Sequence, residues 1–472
     1  MKVPLIRSAL VACLGPAAAL SAAPAGLSAE QAQWIAAANR HEKAGWTYLH
    51  LEGGPRERGF QHGYLMAAEI AELLRVDSAE WLHGTSFDWA WLVANTKNFI
   101  QPGIDPENRA ELEGIAEGTR AAGLPESFDD LVAENALFEL TWYWWPNAQR
   151  KITGELDQVQ RPKESCSSFI ATGHMTKDGG IVLGHNTWFG YTQAVFNVIV
   201  DIAPEKGHRI LMQTRPGWIH SGTDFFITDA GIVGSETTIG GFGHFTEKGV
   251  PEFARMRRAT QDADGIDQWC AIMKRGNNGG YANAWLIGDV KTGEIARLEL
   301  GLQYVGLERT RDGVFYGSNI AENLKILRLE TDTNDEDIRI PSVARRVRWK
   351  QLMKQNAGKI DIALAQSMLA DCYDTCTKAV EPSARTLAGH SELDPAHFGG
   401  TPYYPSGAFD CKVVDAAMAR KMTFDARWGS ADGTAFDAGK FLSDHPQFDW
   451  MEGILKSRPV EPWAEFRSGE TN

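Results

Sequence analysis

The chain has 472 residues, 43% of them hydrophobic and 23% charged, a balance that excludes a disordered, collagenous or coiled-coil protein for most of its length. Its 47 Lys+Arg against 61 Asp+Glu leave a net charge of −14, without the broad positive field that a phosphate backbone requires, so no nucleic-acid partner is expected. Sixteen Trp, 21 Phe and 10 Tyr imply a bulky core, large aromatic pockets, or both.

Residues 1–25 read as a secretory signal peptide. Lys2 and Arg7 make a basic start, Ser8 to Ala25 carries no charge, and the small residues from Ala19 to Ala25 offer cleavage sites. Gly15 and Pro16 interrupt the apolar run, which is too short for a spanning helix. Lipid anchoring at Cys13 would leave only a very short apolar stretch before the cysteine. The mature chain is therefore expected to be secreted or periplasmic, with no integral membrane segment. Signal removal leaves Cys166, Cys270, Cys372, Cys376 and Cys411, an odd number in an oxidising compartment. Two disulfides among the last four are expected, with one thiol left over. Cys372-x3-Cys376 has no second ligand pair at metal spacing, so neither a metal nor any other cofactor is expected.

Residues 26–149 read as a helical N-terminal part. Apolar residues recur at three-to-four spacing in 29–39, 63–75, 88–99 and 106–122, with Pro102, Gly103, Pro106, Gly123 and Pro125 as breaks. Residues 150–165 are charged, lack an apolar face and read as an exposed linker. From Cys166 the pattern changes to short β-branched or aromatic runs at 167–171, 181–183, 196–202, 210–213, 225–227 and 232–233, separated by glycine turns. A helix near 265–274 precedes strands at 284–287, 295–300 and 303–307. Helices return at 343–355 and 360–370, and 381–472 reads as irregular. A helical preface, an antiparallel sheet system and further helices define an α+β architecture.

The chemistry concentrates where linker meets sheet. Cys166 opens a strand, Asp178-Gly179-Gly180 turns the chain, and a second strand ends in Gly184-His185-Asn186-Thr187-Trp188. An antiparallel hairpin sets the end of the second strand beside the start of the first, which brings His185 and Asn186 to Cys166. A cut between Ser165 and Cys166 would give Cys166 both a thiol and an α-amine. That amine's ordinary pKa of about 7.7–8.0 suits it to take the thiol's proton. No His-Glu-x-x-His or Gly-x-Ser-x-Gly occurs, so metallohydrolase and serine-hydrolase readings are weaker.

Cys166-Ser167 at a strand start, followed by Gly184-His185-Asn186-Thr187-Trp188, resembles the phospholipase B-like proteins of the N-terminal nucleophile hydrolases. Three further segments match in order: Pro216 to Phe226, Gly231 to Thr238, and Gly280-Tyr281-Ala282-Asn283-Ala284-Trp285. In the last, Ala282 and Ala284 replace the Asn and Gln of the family's pattern. Glu57-Arg58-Gly59 with Gly63, and Glu111 to Gly118, are similar to segments of the autoproteolytic penicillin-forming acyltransferases. The resemblance implies a four-layer αββα sandwich, self-cleavage before Cys166 into pieces that stay associated, and acyl hydrolysis through a thioester. It implies a catalytic core spanning 166–472, with Cys166 as nucleophile, Asn283 as oxyanion donor, and His185 and Asn186 orienting the α-amine. Trp188, Asp224 and Thr238 would line or brace the site for an acylated small molecule or lipid. Acyl transfer to an amine, or an inactive aromatic-rich lipid- or glycan-binding protein, are the competing readings.

Overall fold

The computed structural model describes residues 26–154, 166–222 and 225–471. The expected signal peptide, Ser165 and Asp224 lie outside the described residues, as does most of the expected linker.

Nine strands make one sheet: β1 (Asn39–Lys43), β2 (Trp46–Gly53), β5 (Val198–Pro204), β6 (Ile210–Thr214), β7 (Phe225–Thr228), β8 (Ile232–Thr238), β9 (Asn283–Asp289), β10 (Glu294–Leu300) and β11 (Val305–Thr310), in that spatial order. The second sheet has six strands in the order β12 (Gly313–Gly317), β3 (Ser167–Thr172), β4 (Val182–Gly190), β15 (Ser406–Asp415), β16 (Thr423–Trp428) and β17 (Ala464–Arg467). A separate ribbon pairs β13 (Tyr373–Asp374) with β14 (Ala379–Val380).

Alternation along the strands builds the layers, because successive side chains leave opposite faces. On β8, Val233 packs with Ile170, Leu183 and Val414 of the facing sheet, while Ile232 turns to the other side. There it joins Phe226, Trp285 and Ile287 under helix residues Leu112, Ile115, Phe253 and Trp269. In the six-stranded sheet Ile170 and Val414 face inward, whereas Phe169 and Val413 turn outward to Trp349, Leu352 and Leu369. Each such buried side chain contributes roughly 1.5–3 kcal/mol. The result is the expected α+β sandwich, helix–sheet–sheet–helix.

Three expectations change. The helical N-terminal part also supplies β1 and β2, and β2 pairs parallel with β5, so it is woven into the nine-stranded sheet. Residues 150–153 of the expected linker are helical instead, because helix Trp145–Thr153 runs to a left-handed cap at Gly154. The tail is not irregular: β15 lies in the middle of its sheet, paired with both β4 and β16.

The motifs around Gly59 and Glu111 are architectural. Helices Pro55–Leu65 and Pro106–Ala121 touch backbone to backbone through Gly59, Gly63, Gly114 and Gly118. A Cβ on Gly63 would stand 2.1 Å from the Ile115 carbonyl oxygen, and one on Gly59 2.0 Å from that of Glu111. Glu111 is also buried between Arg58 (2.8 Å) and Arg257 (3.1 Å). Gly63→Ala should therefore force the helices apart and cost about 1–3 kcal/mol or more, read as a lower denaturant midpoint. An unchanged midpoint would show that this contact relaxes freely.

The disulfide expectation is corrected. None of Cys166, Cys270, Cys372, Cys376 and Cys411 is in a disulfide. Position excludes one pairing outright: Cys270 lies under the nine-stranded sheet and Cys411 on the far side of the six-stranded one, with two sheets between them.

Candidate active site

The hairpin expected around Cys166 forms. β3 and β4 run antiparallel with Ser167 opposite Asn186 and Ser168 opposite His185. Cys166 immediately precedes β3, is 3% exposed, and has φ of +73°, a left-handed conformation that costs a non-glycine residue about 1–3 kcal/mol. Arg345, from helix Pro341–Gln355, holds it. Arg345 Nη1 donates to the Cys166 carbonyl oxygen (2.6 Å) and to Ser167 Oγ (2.9 Å), and Nη2 donates to Asn319 Oδ1 (2.8 Å). The guanidinium lies 4.4 Å from the Trp188 ring centre.

Cys166 opens onto a cavity with about 390 Å³ of atom-free space, part of it open to solvent. Phe138, Trp188, Phe189, Phe196, Tyr281 and Phe409 make its walls mainly apolar, and Thr187, Gln193, Asn197 and Arg215 add polar groups. Such a lining is apolar with a few polar groups at one side, the composition of a binding pocket.

The polar side is strongly acidic behind its first layer. Arg215 Nη2 donates to Asp77 (2.8 Å), and Gln193 Nε2 donates to Asp77 (2.7 Å) and Glu80 (3.0 Å). Burial, and then the Asp77 charge, push the Glu80 carboxyl up to about 7. A carboxyl raised on folding stabilises the fold fully below its unfolded pKa and loses that contribution as pH rises through the folded value. Melting temperature should therefore fall between about pH 4.5 and 7, and Glu80→Gln should flatten that slope. An identical slope in the variant would mean that other groups set it.

The remaining expected residues divide. Trp188 reaches the cavity with Cys166. His185 is fully buried, and burial together with the Lys412 ammonium pushes its imidazole well below the ordinary range, so it is neutral. Among the described residues its one hydrogen-bonding neighbour is the Glu236 backbone, too loosely placed to offset burial. Asn186 departs from expectation. Its Nδ2 donates outward to the Leu369 and Leu387 carbonyls (2.9 Å each), because its strand position faces helix Ile362–Leu369. Its amide nitrogen thus serves packing of the outer layer and not the α-amine. Asn283 is buried at the start of β9 opposite Thr238; with its amide turned to the orientation that satisfies its neighbours, the nitrogen donates to Glu236 Oε2 (2.7 Å) and the Ala282 carbonyl (3.0 Å). Thr238 Oγ1 donates to Tyr281 Oη (3.2 Å), which donates to Glu236 Oε1 (2.9 Å). Thr238 therefore braces the Tyr281 wall. The sequence reading missed Arg345, Tyr281 and Arg215. Arg345 sits in the run Arg345-Arg346-Val347-Arg348, which has the pattern of a solvated helix face.

Comparison with known proteins completes the description. The family model for phospholipase B matches residues 132–315. The chain is 25% identical to putative phospholipase B-like 2 of Mus musculus, an alignment covering 92% of this chain and 83% of the mouse protein. It is 26% identical to an uncharacterized protein of Archaeoglobus fulgidus over 52% of this chain, and spans only 41% of that relative's length. A solved structure of a mutant conjugated bile acid hydrolase from Clostridium perfringens aligns with 65% of this chain and 98% of its own, at 9% identity and a TM-score of 0.32. Among the described residues, no helix is long and apolar enough to cross a membrane.

Proposed function

The chain belongs to the phospholipase B-like family, and on that premise we propose that it is an exported, self-cleaving N-terminal-cysteine hydrolase of acyl amides or esters. One observation carries the reading: the buried Cys166, directly after the 155–165 segment, opens onto an aromatic cavity and is held there by Arg345. Once freed, its α-amine takes the thiol proton, and Sγ attacks the substrate carbonyl. The tetrahedral oxyanion draws on the Asn283 amide: Glu236 keeps one N–H, and the other turns from the Ala282 carbonyl to the oxyanion. The leaving alcohol or amine departs with the proton, and water then hydrolyses the thioester. His185 offers a neutral ring beside this machinery. The apolar walls favour a lipid or another long acyl chain over a small polar amide.

Turnover of a glycerophospholipid and of an N-acyl amide, quenched and analysed by peptide mass spectrometry, tests this directly. The expected result is an acyl adduct on Cys166 with at least one substrate. Hydrolysis that proceeds with no adduct, and that survives alkylation of Cys166, would overturn the proposal.

A further inference from the structure

Three separate segments converge beside the six-stranded sheet: the turn after helix Ile362–Leu369, the stretch before β15, and the loop after β16. Each contributes one residue, Cys372, His390 and Asp432 respectively, and their ligand atoms all lie within 4.8 Å of one another. We propose that this cluster is a binding site for a divalent transition metal of borderline softness, zinc in particular, with Cys372 Sγ, His390 Nε2 and Asp432 Oδ2 as its protein ligands.

The spacing supports it. Tetrahedral zinc, with bonds of about 2.0–2.3 Å to nitrogen, oxygen and sulfur, sets its ligand atoms roughly 3.3–3.6 Å apart. His390 Nε2 stands 3.2 Å from Asp432 Oδ2, and Cys372 Sγ stands 3.5 Å from the same oxygen. Two of the three edges are thus at the required length, and the third, between Cys372 and His390, is no longer than 4.8 Å. The surroundings match as well. His390 Nδ1 lies 2.8 Å from Glu392 Oε1, and Glu392 Oε2 accepts from Tyr191 Oη at 2.9 Å. A carboxylate on the far ring nitrogen fixes the ring and directs the lone pair of Nε2 at a metal. His390 is fully buried, whereas Cys372 and Asp432 are partly exposed, so one side stays open for entry and for a water in the fourth position.

The metal-free alternative is an imidazolium bridging Asp432 and Glu392, with the Cys372 thiol donating to Asp432 Oδ2. What favours a metal is the convergence of sulfur, imidazole and carboxylate within 4.8 Å, with Glu392 behind the ring. On binding, the cation displaces the Cys372 thiol proton and any proton on His390 Nε2. The site also adjoins the cavity. Gly389, next to His390, packs so closely on Trp188 that a Cβ there would fall 1.7 Å from the indole ring. A metal at His390 would therefore brace the wall that Trp188 presents to Cys166. This proposal is independent of the reaction assigned to Cys166.

Full-length purified chain titrated with Zn²⁺, and separately with Co²⁺, provides the test. One equivalent should bind, raise the melting temperature, and in the cobalt form show a thiolate-to-metal charge-transfer band. Cys372→Ser keeps a hydrogen-bonding group toward Asp432 and so should fold, which its circular dichroism and its melt in EDTA would verify. It should lose the band and bind Zn²⁺ at least ~10-fold more weakly, and Glu392→Gln should weaken binding by roughly 10–100-fold. Cys376→Ser should change neither the band nor the affinity. The site is refuted by the absence of stoichiometric binding to the folded chain, by a cobalt adduct without the thiolate band, or by parental Zn²⁺ affinity in Cys372→Ser. Loss of binding in Cys376→Ser would overturn the ligand assignment.

Discussion

Protein recovered from an exporting host should consist of two pieces, the larger beginning at Cys166, whereas Cys166→Ala should remain a single chain. The scissile bond follows a segment that the sequence marks as charged and without an apolar face. On its far side, Cys166 is held in a left-handed conformation that costs about 1–3 kcal/mol, a cost released once the chain is cut and φ is no longer constrained. In the proposed step, Sγ attacks the Ser165 carbonyl carbon, the C–N bond to Cys166 breaks, and the nitrogen leaves as the α-amine carrying the thiol proton. Water then hydrolyses the resulting thioester at Ser165. Cys166→Ser, with a poorer nucleophile, should cleave more slowly than the parent. The pieces should co-elute under native conditions, because β2 runs in register with β5 from Thr47 to Gly53 and the N-terminal helices cover the nine-stranded sheet. N-terminal sequencing and gel filtration decide both points. A Cys166→Ala protein cut at the same bond would assign the cleavage to a contaminating protease, and separation of the pieces would contradict the woven architecture.

How much of this could be read from the sequence depended on where polar residues sit. The hairpin from β3 to β4 was legible, because a Gly-Gly turn separates two apolar runs and fixes His185 and Asn186 near the start of β3. Which face each residue takes was not, since an antiparallel register brings backbones together while alternation sends Asn186 outward to Leu369. β15 escaped recognition because it carries Asp410 and Lys412, which pattern as solvent-facing. Both are fully buried and paired with each other, and Gln213 further satisfies Asp410. β1 was hidden by its polar run Arg40, His41, Glu42 and Lys43, of which only His41 is buried. Arg345 and the Cys372–His390–Asp432 cluster depend on contacts between distant segments, for which a single sequence holds no local signal. The glycines of the two touching helices were visible as a motif, but only the packing shows why a side chain is excluded there.

Replacing Asn283 should separate chemistry from folding at the site. A donor that stabilises a developing oxyanion acts mainly in the transition state, so its loss lowers kcat and leaves KM nearly unchanged. Removal of one such donor typically costs about 10²–10³ in rate. The structure adds a second consequence. The Asn283 amide nitrogen donates to Glu236 Oε2, so Asn283→Ala removes a partner from a buried carboxylate and should also lower stability by about 1–3 kcal/mol. The two effects are separable with a pre-processed 166–472 chain co-expressed with residues 26–165, which bypasses any slowing of self-cleavage. Thr238→Ala is the control: it loses the bond to Tyr281 and perturbs the same wall without touching the proposed oxyanion donor. Asn283→Ala should fold, bind a non-hydrolysable acyl analogue and turn over at least ~10²-fold more slowly than Thr238→Ala. A rate within about threefold of the parent, far short of that loss, would leave Asn283 as a structural partner of Glu236 and assign the oxyanion to another donor.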